Sequence, residues 1–325
     1  MKAIGGYFEL ELARKNEYHR EALKLNSGRA AFEYILRIRG YKKVYMPYYT
    51  CDTIFEPIQK LNLEHESYFI DAKMEPIFDF SMIRDDEALL YTNYFGLKDM
   101  FIRRMTENHP NIIIDNVPAF FSMPIQGYDC FYSPRKFIGV PDGGYLYPDR
   151  AVYKPIKLTR DISYKRSKHL LKRIDVSPED GYKDFIDSNE DLCFVGPKRM
   201  SKLTETVLRS IDYTDVIKTR KRNFAFLHKS LERINELDFS DVDFETAVPI
   251  VYPLFLPNED NLRAKLINEK IYVAQYWPNV LDWTNEDSRE HTFTQKLIAL
   301  PIDQRYVLSD MRRIVLALNK ILEVK

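Results

Sequence analysis

Apolar positions in the first half of the chain fall into short runs separated by stretches of helical spacing. KVYMP, HESYFID, EALLYTNYF, NIIID, YDCFYS and GGYLYP each read as a strand. Between them, SGRAAFEYILRIRG repeats apolar residues at helical spacing as far as Leu36. Ser27 is its expected N-cap and Gly40 its expected stop. CDTIFEPIQKL and LKDMFIRRMTEN read as two further helices. Ile112–Ile114 form an unbroken β-branched run, as in a strand buried on both faces. Strands alternating with helices predict an α/β fold with a mostly parallel sheet.

The pattern changes after Pro148. KHLLKRID and the long charged stretch from Met200 to Leu237 read as helices. TAVPIVYPLFLP reads as a strand, NEDNLRAKLINEK as a capped helix, IYVAQYWP as another strand, and SDMRRIVLALNKILEV as a closing amphipathic helix. This predicts a small α+β domain over residues 201–325 behind a large domain over 1–200. Repeats and low-complexity segments are absent from the sequence.

Composition narrows the class. The 325 residues are 45% hydrophobic and 14% aromatic, enough for a sizeable core. Lys plus Arg and Asp plus Glu are 48 each, which argues against a general nucleic-acid binder. The 3 cysteines, Cys51, Cys130 and Cys193, form no CxxC pair, and the 6 histidines lack metal-ligand spacing, so no metal site is expected. No stretch has the roughly 18 apolar residues of a membrane span, and the N-terminus has no secretory pattern. A cytoplasmic protein with neither membrane nor nucleic-acid partners is the expectation.

Three pieces of the first half could carry chemistry. NSGRAA sets small residues at a helix N-terminus, where free N–H groups and the helix dipole favour a phosphate. IIIDN puts Asp115 at the end of a buried strand, the edge where α/β sheets bind ligands. SPRK places Lys136 after one more strand, between aromatic runs that could desolvate its amine. Each has an ordinary reading alone: a cap, a turn carboxylate, a solvated lysine. Their order, phosphate loop, strand-end acid, then lysine, is what a pyridoxal phosphate enzyme requires. The turn PDGG allows close backbone approach. No GxSxG, GxGxxG or Walker A pattern occurs, and KTRKRNF (Lys218–Phe224) reads as a solvated helix face.

At these residues the chain resembles the DegT/DnrJ/StrS family of pyridoxal phosphate (PLP)-dependent sugar aminotransferases. The matching pieces are GGYFELEL, LNSGRAAFEYIL, YMPYYTCDTIFEPI, LLYTNYFGLKDM, IIIDN and SPRKFIGVPDGGYLY, with YPLFLPNEDNLRAKLINEKIYVAQYWP and ALPIDQRYVLSDMRRIVLAL further on. The resemblance implies the fold type I transferase architecture. It makes Lys136 the Schiff-base lysine and Asp115 the partner of the pyridine nitrogen. Ser27, Gly28, Arg29 and Ser133 become the phosphate cradle, and Asn93, Tyr94 and Cys51 fall near the cofactor. Pro118 stands where the family usually has Gln or His. Cys51 stands near the usual stacking aromatic, with Tyr48 or Tyr49 as substitutes.

The resemblance further implies an amino-acid donor, glutamate by analogy, a keto-sugar acceptor linked to a nucleotide, and a homodimer. Two other classes compete. One is a non-catalytic PLP-fold binding or regulatory protein. The other is a doubly wound glycosyltransferase, for which Asp85-Asp86 is the sole weak carboxylate pair. Related dehydratases carry histidine in place of the lysine, against which Lys136 speaks.

Overall fold

The structure, a computed structural model, describes residues 4–151, 153 and 155–322. Eight strands form one sheet: β1 (Leu23–Leu25), β2 (Lys43–Pro47), β3 (Glu64–Ile70), β4 (Pro76–Ile77), β5 (Glu87–Thr92), β6 (Ile112–Asp115), β7 (Asp129–Tyr132) and β8 (Gly144–Tyr147). Their spatial order is β1-β8-β7-β6-β5-β2-β3-β4. The central run β7-β6-β5-β2-β3 is parallel, whereas β8, β1 and β4 each pair antiparallel to a neighbour. The connecting helices in this half are α1 (Gly28–Arg39), α2 (Glu56–Leu61) and α3 (Asp99–Asn108).

Side-chain alternation explains why the strands are apolar throughout. Val44, Met46, Ala88, Leu90, Ile113 and Phe131 face one side and pack with Phe32, Ile35 and Leu36 of α1. Tyr45, Leu89, Tyr91, Ile114 and Tyr132 face the other. A parallel sheet covered on both faces leaves no polar side to its strands. Helix α1 begins and ends as expected: Ser27 accepts from the Ala30 N–H, and Gly40 closes it at φ 67°.

The second half supplies α4 (Lys168–Asp175), α5 (Pro178–Glu190), α6 (Lys202–Leu208), α7 (Tyr213–Leu231), β9 (Val251–Phe255), α8 (Leu262–Asn268), α9 (Val280–Trp283), α10 (Arg289–Lys296), β10 (Leu297–Pro301) and α11 (Leu308–Ile321). Strands β9 and β10 pair antiparallel as a separate sheet. The hydrophobic cluster holding Tyr91 and Ile114 of the main sheet also holds Leu254, Leu300 and Leu318.

Several sequence expectations are corrected here. The single long helix over 200–237 is two, because Asp212 caps the start of α7 by accepting from the Asp215 N–H at 3.1 Å. IYVAQYWP is not a strand: only Ala274 bridges, to Ala299, while Lys270 (φ 57°) and Trp277 (φ 52°) turn the chain away at either end. Its Ile271 and Val273 bury themselves from a loop instead. Helix α5 was not anticipated, although Ser177 as N-cap and Pro178 at the first helical position marked it. Of the closing helix expected through Val324, residues Glu323 and Val324 lie outside the described residues.

The strand ends are held against α1 by backbone contact. The Gly143 N–H donates to the Asn26 carbonyl at 2.7 Å. A Cβ on Gly144 would lie 2.1 Å from the Ser27 carbonyl oxygen. Gly144→Ala is therefore expected to cost about 3 kcal/mol or more. Thermal denaturation checks this, and an unchanged Tm would contradict so close an approach.

Candidate functional site

The site is assembled where α1 begins and the parallel strands end. Gly28 opens α1 with no room for a side chain: a Cβ there would meet Val117 Cγ2 at 2.8 Å and Ser133 Cβ at 3.5 Å. The helix N-terminus is thus packed directly on the segments that follow β6 and β7. Ser27 is buried, and its Oγ takes the Ala30 N–H at 3.0 Å. The Ala31 N–H bonds the Ser27 carbonyl at 3.0 Å. Among the described residues the backbone N–H of Arg29 is left without an acceptor, as first-turn amides are. The Arg29 side chain turns to α2, where it pairs with Glu56. Ser133 is buried, with its Oγ only 3.4 Å from the Gly143 carbonyl. Gly143, at φ 127°, lets the chain pass that serine.

Asp115 ends β6, flanked by Thr92 on β5 and Phe131 on β7. One carboxyl oxygen accepts the Val117 N–H at 2.8 Å, and the other lies 3.4 Å from the Thr92 hydroxyl. Burial pushes this carboxyl up to about 7, against the pull of the Val117 N–H, the Thr92 hydroxyl and the Lys136 charge. Pro118, buried behind it, offers no side-chain donor.

Lys136 ends the turn Pro134–Lys136 after β7. Lys136 is exposed, and its side chain lines a cleft of about 550 Å³. Protein packed around that wall desolvates the amine and lowers its pKa, Arg135 adds to the drop, and Cys51 and Asp115 oppose it. The half-buried Cys51 thiol is raised by the same desolvation. Lys136, Asp115 and Cys51 thus act on one another electrostatically.

Asn93 and Tyr94 lie at the expected edge with their side chains packed inside the protein. Asn93 is fully buried and its amide is used inside the protein, donating to Asp99 at 2.6 Å and Asn116 at 2.9 Å. Tyr94 is likewise buried, donating to the Tyr49 carbonyl at 3.1 Å and packing on Trp277. Both sit at the same sheet edge as Asp115, since the Asn93 N–H donates to the Asp115 carbonyl at 2.9 Å. Tyr48 packs on Phe69 and Tyr49 on Tyr94 and Trp277, while the Cys51 thiol acts electrostatically on the lysine.

KTRKRNF is not a solvated face. Thr219, Arg220, Asn223 and Phe224 of α7 are buried, because helical spacing returns these positions to one side. Arg220 is 1% exposed. Its guanidinium lies 4.6 Å above the Phe137 ring and donates to the Pro249, Ile250 and Phe137 carbonyls at 3.2–3.5 Å. Gln304 Nε2 also donates to the Phe137 carbonyl, at 2.8 Å. The residue after the lysine is thus clamped from the C-terminal half. Nothing in the run itself distinguished Arg220 from its solvated neighbours. The described residues hold no cluster of metal-ligating side chains, and no helix among them is long and apolar enough to cross a membrane.

No family model matches the chain, and no curated protein matches it. Solved structures do. DesV of S. venezuelae, solved in complex with a ketimine intermediate, is 16% identical and superposes with a TM-score of 0.66 over 94% of this chain and 85% of its own. NtdA of Bacillus subtilis, with bound pyridoxamine phosphate (PMP), is 13% identical with a TM-score of 0.64 over 93% and 73%. The sugar aminotransferase CalS13 of Micromonospora echinospora is 13% identical with a TM-score of 0.60 over 93% and 87%. The chain has the fold of these aminotransferases, as expected from its sequence.

The raised acid makes a testable demand on stability. An unfolded Asp carboxyl titrates near 3.8 and the folded Asp115 near 7, so folding opposes its ionisation. The cost is full above pH 7, shrinks as pH falls toward 3.8, and is absent below. Asp115→Asn in the ligand-stripped chain is expected to exceed the parent in stability by up to about 4 kcal/mol near pH 8 and by little near pH 4. Urea denaturation at the two pH values checks both sign and trend.

Proposed function

We propose that the chain is a PLP-dependent aminotransferase that moves an amino group from an amino acid, with glutamate as donor, to a nucleotide-linked keto sugar. The observation that carries this reading is the convergence of three groups at one sheet edge: the N-terminus of α1, the buried acid Asp115 and the amine of Lys136. The residues fit the cofactor. The unclaimed Arg29 N–H and the bare Gly28 form a cradle for a phosphate, with Ser27 and Ser133 at its sides. The sugar aminotransferase fold of the structural neighbours and the order of the motifs support the substrate class. We further propose residues 1–200 and 201–325 as the two domains, a homodimer as the assembly and the cytoplasm as the location.

When bound, the cofactor supplies a reactive carbonyl and an electron-withdrawing ring. The chain's own groups do the rest. Desolvation leaves more of the Lys136 amine neutral, the form that attacks a carbonyl and that would carry the proton from the donor's α-carbon to the carbon that bore the cofactor's carbonyl oxygen. Asp115 holds a proton on the ring nitrogen: a cation beside it draws the carboxyl back to its ionised form. The backbone of α1 and the Ser133 hydroxyl would hold the phosphate. Arg220 and Gln304 hold the Phe137 carbonyl, and with it the lysine's direction.

Pro118 favours a second reading, a cofactor-binding protein without transferase activity, because it offers no side-chain donor where the family usually has Gln or His. One set of measurements separates the two. Incubation with PLP followed by borohydride reduction is expected to add the cofactor's mass to the peptide containing Lys136, and Lys136→Ala to abolish the adduct. Absence of any adduct, or an adduct on another lysine, overturns both readings. Asp115→Asn is expected to slow amino transfer on the order of 10²–10³-fold. An adduct without transfer across a panel of nucleotide-linked keto sugars leaves only the binding protein.

A further inference from the structure

We propose that the cleft contains a second anion site, apart from the N-terminus of α1, in which Arg135 and His169 bind a phosphate group of the substrate, with Arg173 at its mouth. The inference rests on the preceding section only in reserving the α1 cradle for the cofactor.

Arg135 immediately precedes Lys136 and lines the same cleft. Its Nε is buried without a hydrogen-bond partner. Its Nη2 donates at 2.6 Å to a neutral acceptor, Oδ1 of Asn189 on α5. Among the described residues no carboxylate pairs with it. The acid that acts on it, Asp142, is already bonded to the Ser201 N–H at 3.0 Å, to the Ser201 hydroxyl at 2.8 Å and to the Thr204 hydroxyl. A half-buried guanidinium with a buried, unpartnered Nε and no counter-ion is costly, and proteins rarely leave one unless something else supplies the charge.

His169 stands on α4 at the same wall; its buried Nδ1 makes no well-formed hydrogen bond, although the Arg166 backbone lies within reach of the ring. Arg173 follows one helical turn later, exposed, with no ion pair among the described residues. The rest of the cleft has little cationic capacity to offer. Arg220 is spent on backbone carbonyls, and Arg305 pairs with Asp303 at 2.7 Å. Unclaimed donors are therefore concentrated on the α4 side. Two guanidinium forks and an imidazole exceed what one carboxylate can accept and suit the oxygens of a phosphate. The cleft, at about 550 Å³, holds more than a monosaccharide, and Tyr182 and Phe185 add an aromatic wall for what the phosphate carries.

Such a phosphate could belong to the substrate or to the cofactor itself. The test fills the cofactor site first, by borohydride reduction of PLP-treated protein with the Lys136 adduct verified by mass. Inorganic pyrophosphate is then titrated in by calorimetry. Saturable binding is expected, weakened about tenfold or more by Arg135→Gln and measurably by the surface change Arg173→Gln. Equal affinity in the parent and both variants overturns the proposal. So does binding seen only before the cofactor is fixed, which would return these residues to the cofactor's phosphate. Should Arg135→Gln fail to fold, His169→Gln and Arg173→Gln decide the matter. Should no adduct form, the aminotransferase reading fails separately, and the same titration on the protein as purified, with loss of binding in Arg173→Gln, still supports the site.

Discussion

The molecule depends on a contact between backbones. The chain around Ser27 and Gly28 lies so close to Gly143, Gly144, Val117 and Ser133 that side chains are excluded at two of these glycines. That approach brings the positive end of a twelve-residue helix to the carboxyl edge of a parallel sheet. The acid at the end of β6 and the lysine after β7 meet the same edge because β6 and β7 are neighbours in the sheet. A looser approach would leave the three groups on one face of the molecule without bringing them to one site.

Burial then sets their chemistry. Desolvation acts in opposite directions on the two charges, raising the buried acid to about 7 and lowering the lysine at the cleft wall, whose residue is exposed as a whole. Each is displaced toward its neutral form relative to an ordinary carboxyl or amine. An amine in that state is a nucleophile, and an acid in that state responds sharply to any cation placed against it. The clamp of Arg220 and Gln304 on the Phe137 carbonyl ties this tuned lysine to the C-terminal half, so the two halves of the chain share one site as they share one core.

The candidate site was readable only in part. Gly28, Asp115 and Lys136 stood out because each lies at a junction that local pattern marks: a cap, a strand end, a turn between aromatic runs. Arg135 is beside that lysine in sequence, yet nothing local tells a guanidinium with a buried, unpartnered Nε from a solvated one. Arg220 was misread for the same reason, since its run of basic residues alternates between an inward and an outward face of α7. Asn93 and Tyr94 occupy the expected edge, but their polar atoms are used within the protein, a distinction no spacing could make.

What the sequence by itself determined is whatever short-range chemistry controls. The unbroken apolar runs set the buried parallel strands, Ser27 and Gly40 set the limits of α1, and the alternation of strand and helix set the class of fold. Tertiary structure decided what depends on residues far apart in the chain. It split the long helix at Asp212, denied a ladder to Ile271–Pro278, and surrounded Lys136 with groups from both halves. The physical reason is range. Propensity and capping act over a few residues, whereas desolvation and charge coupling act across the packed interior, whose members are known only once the chain has closed on itself.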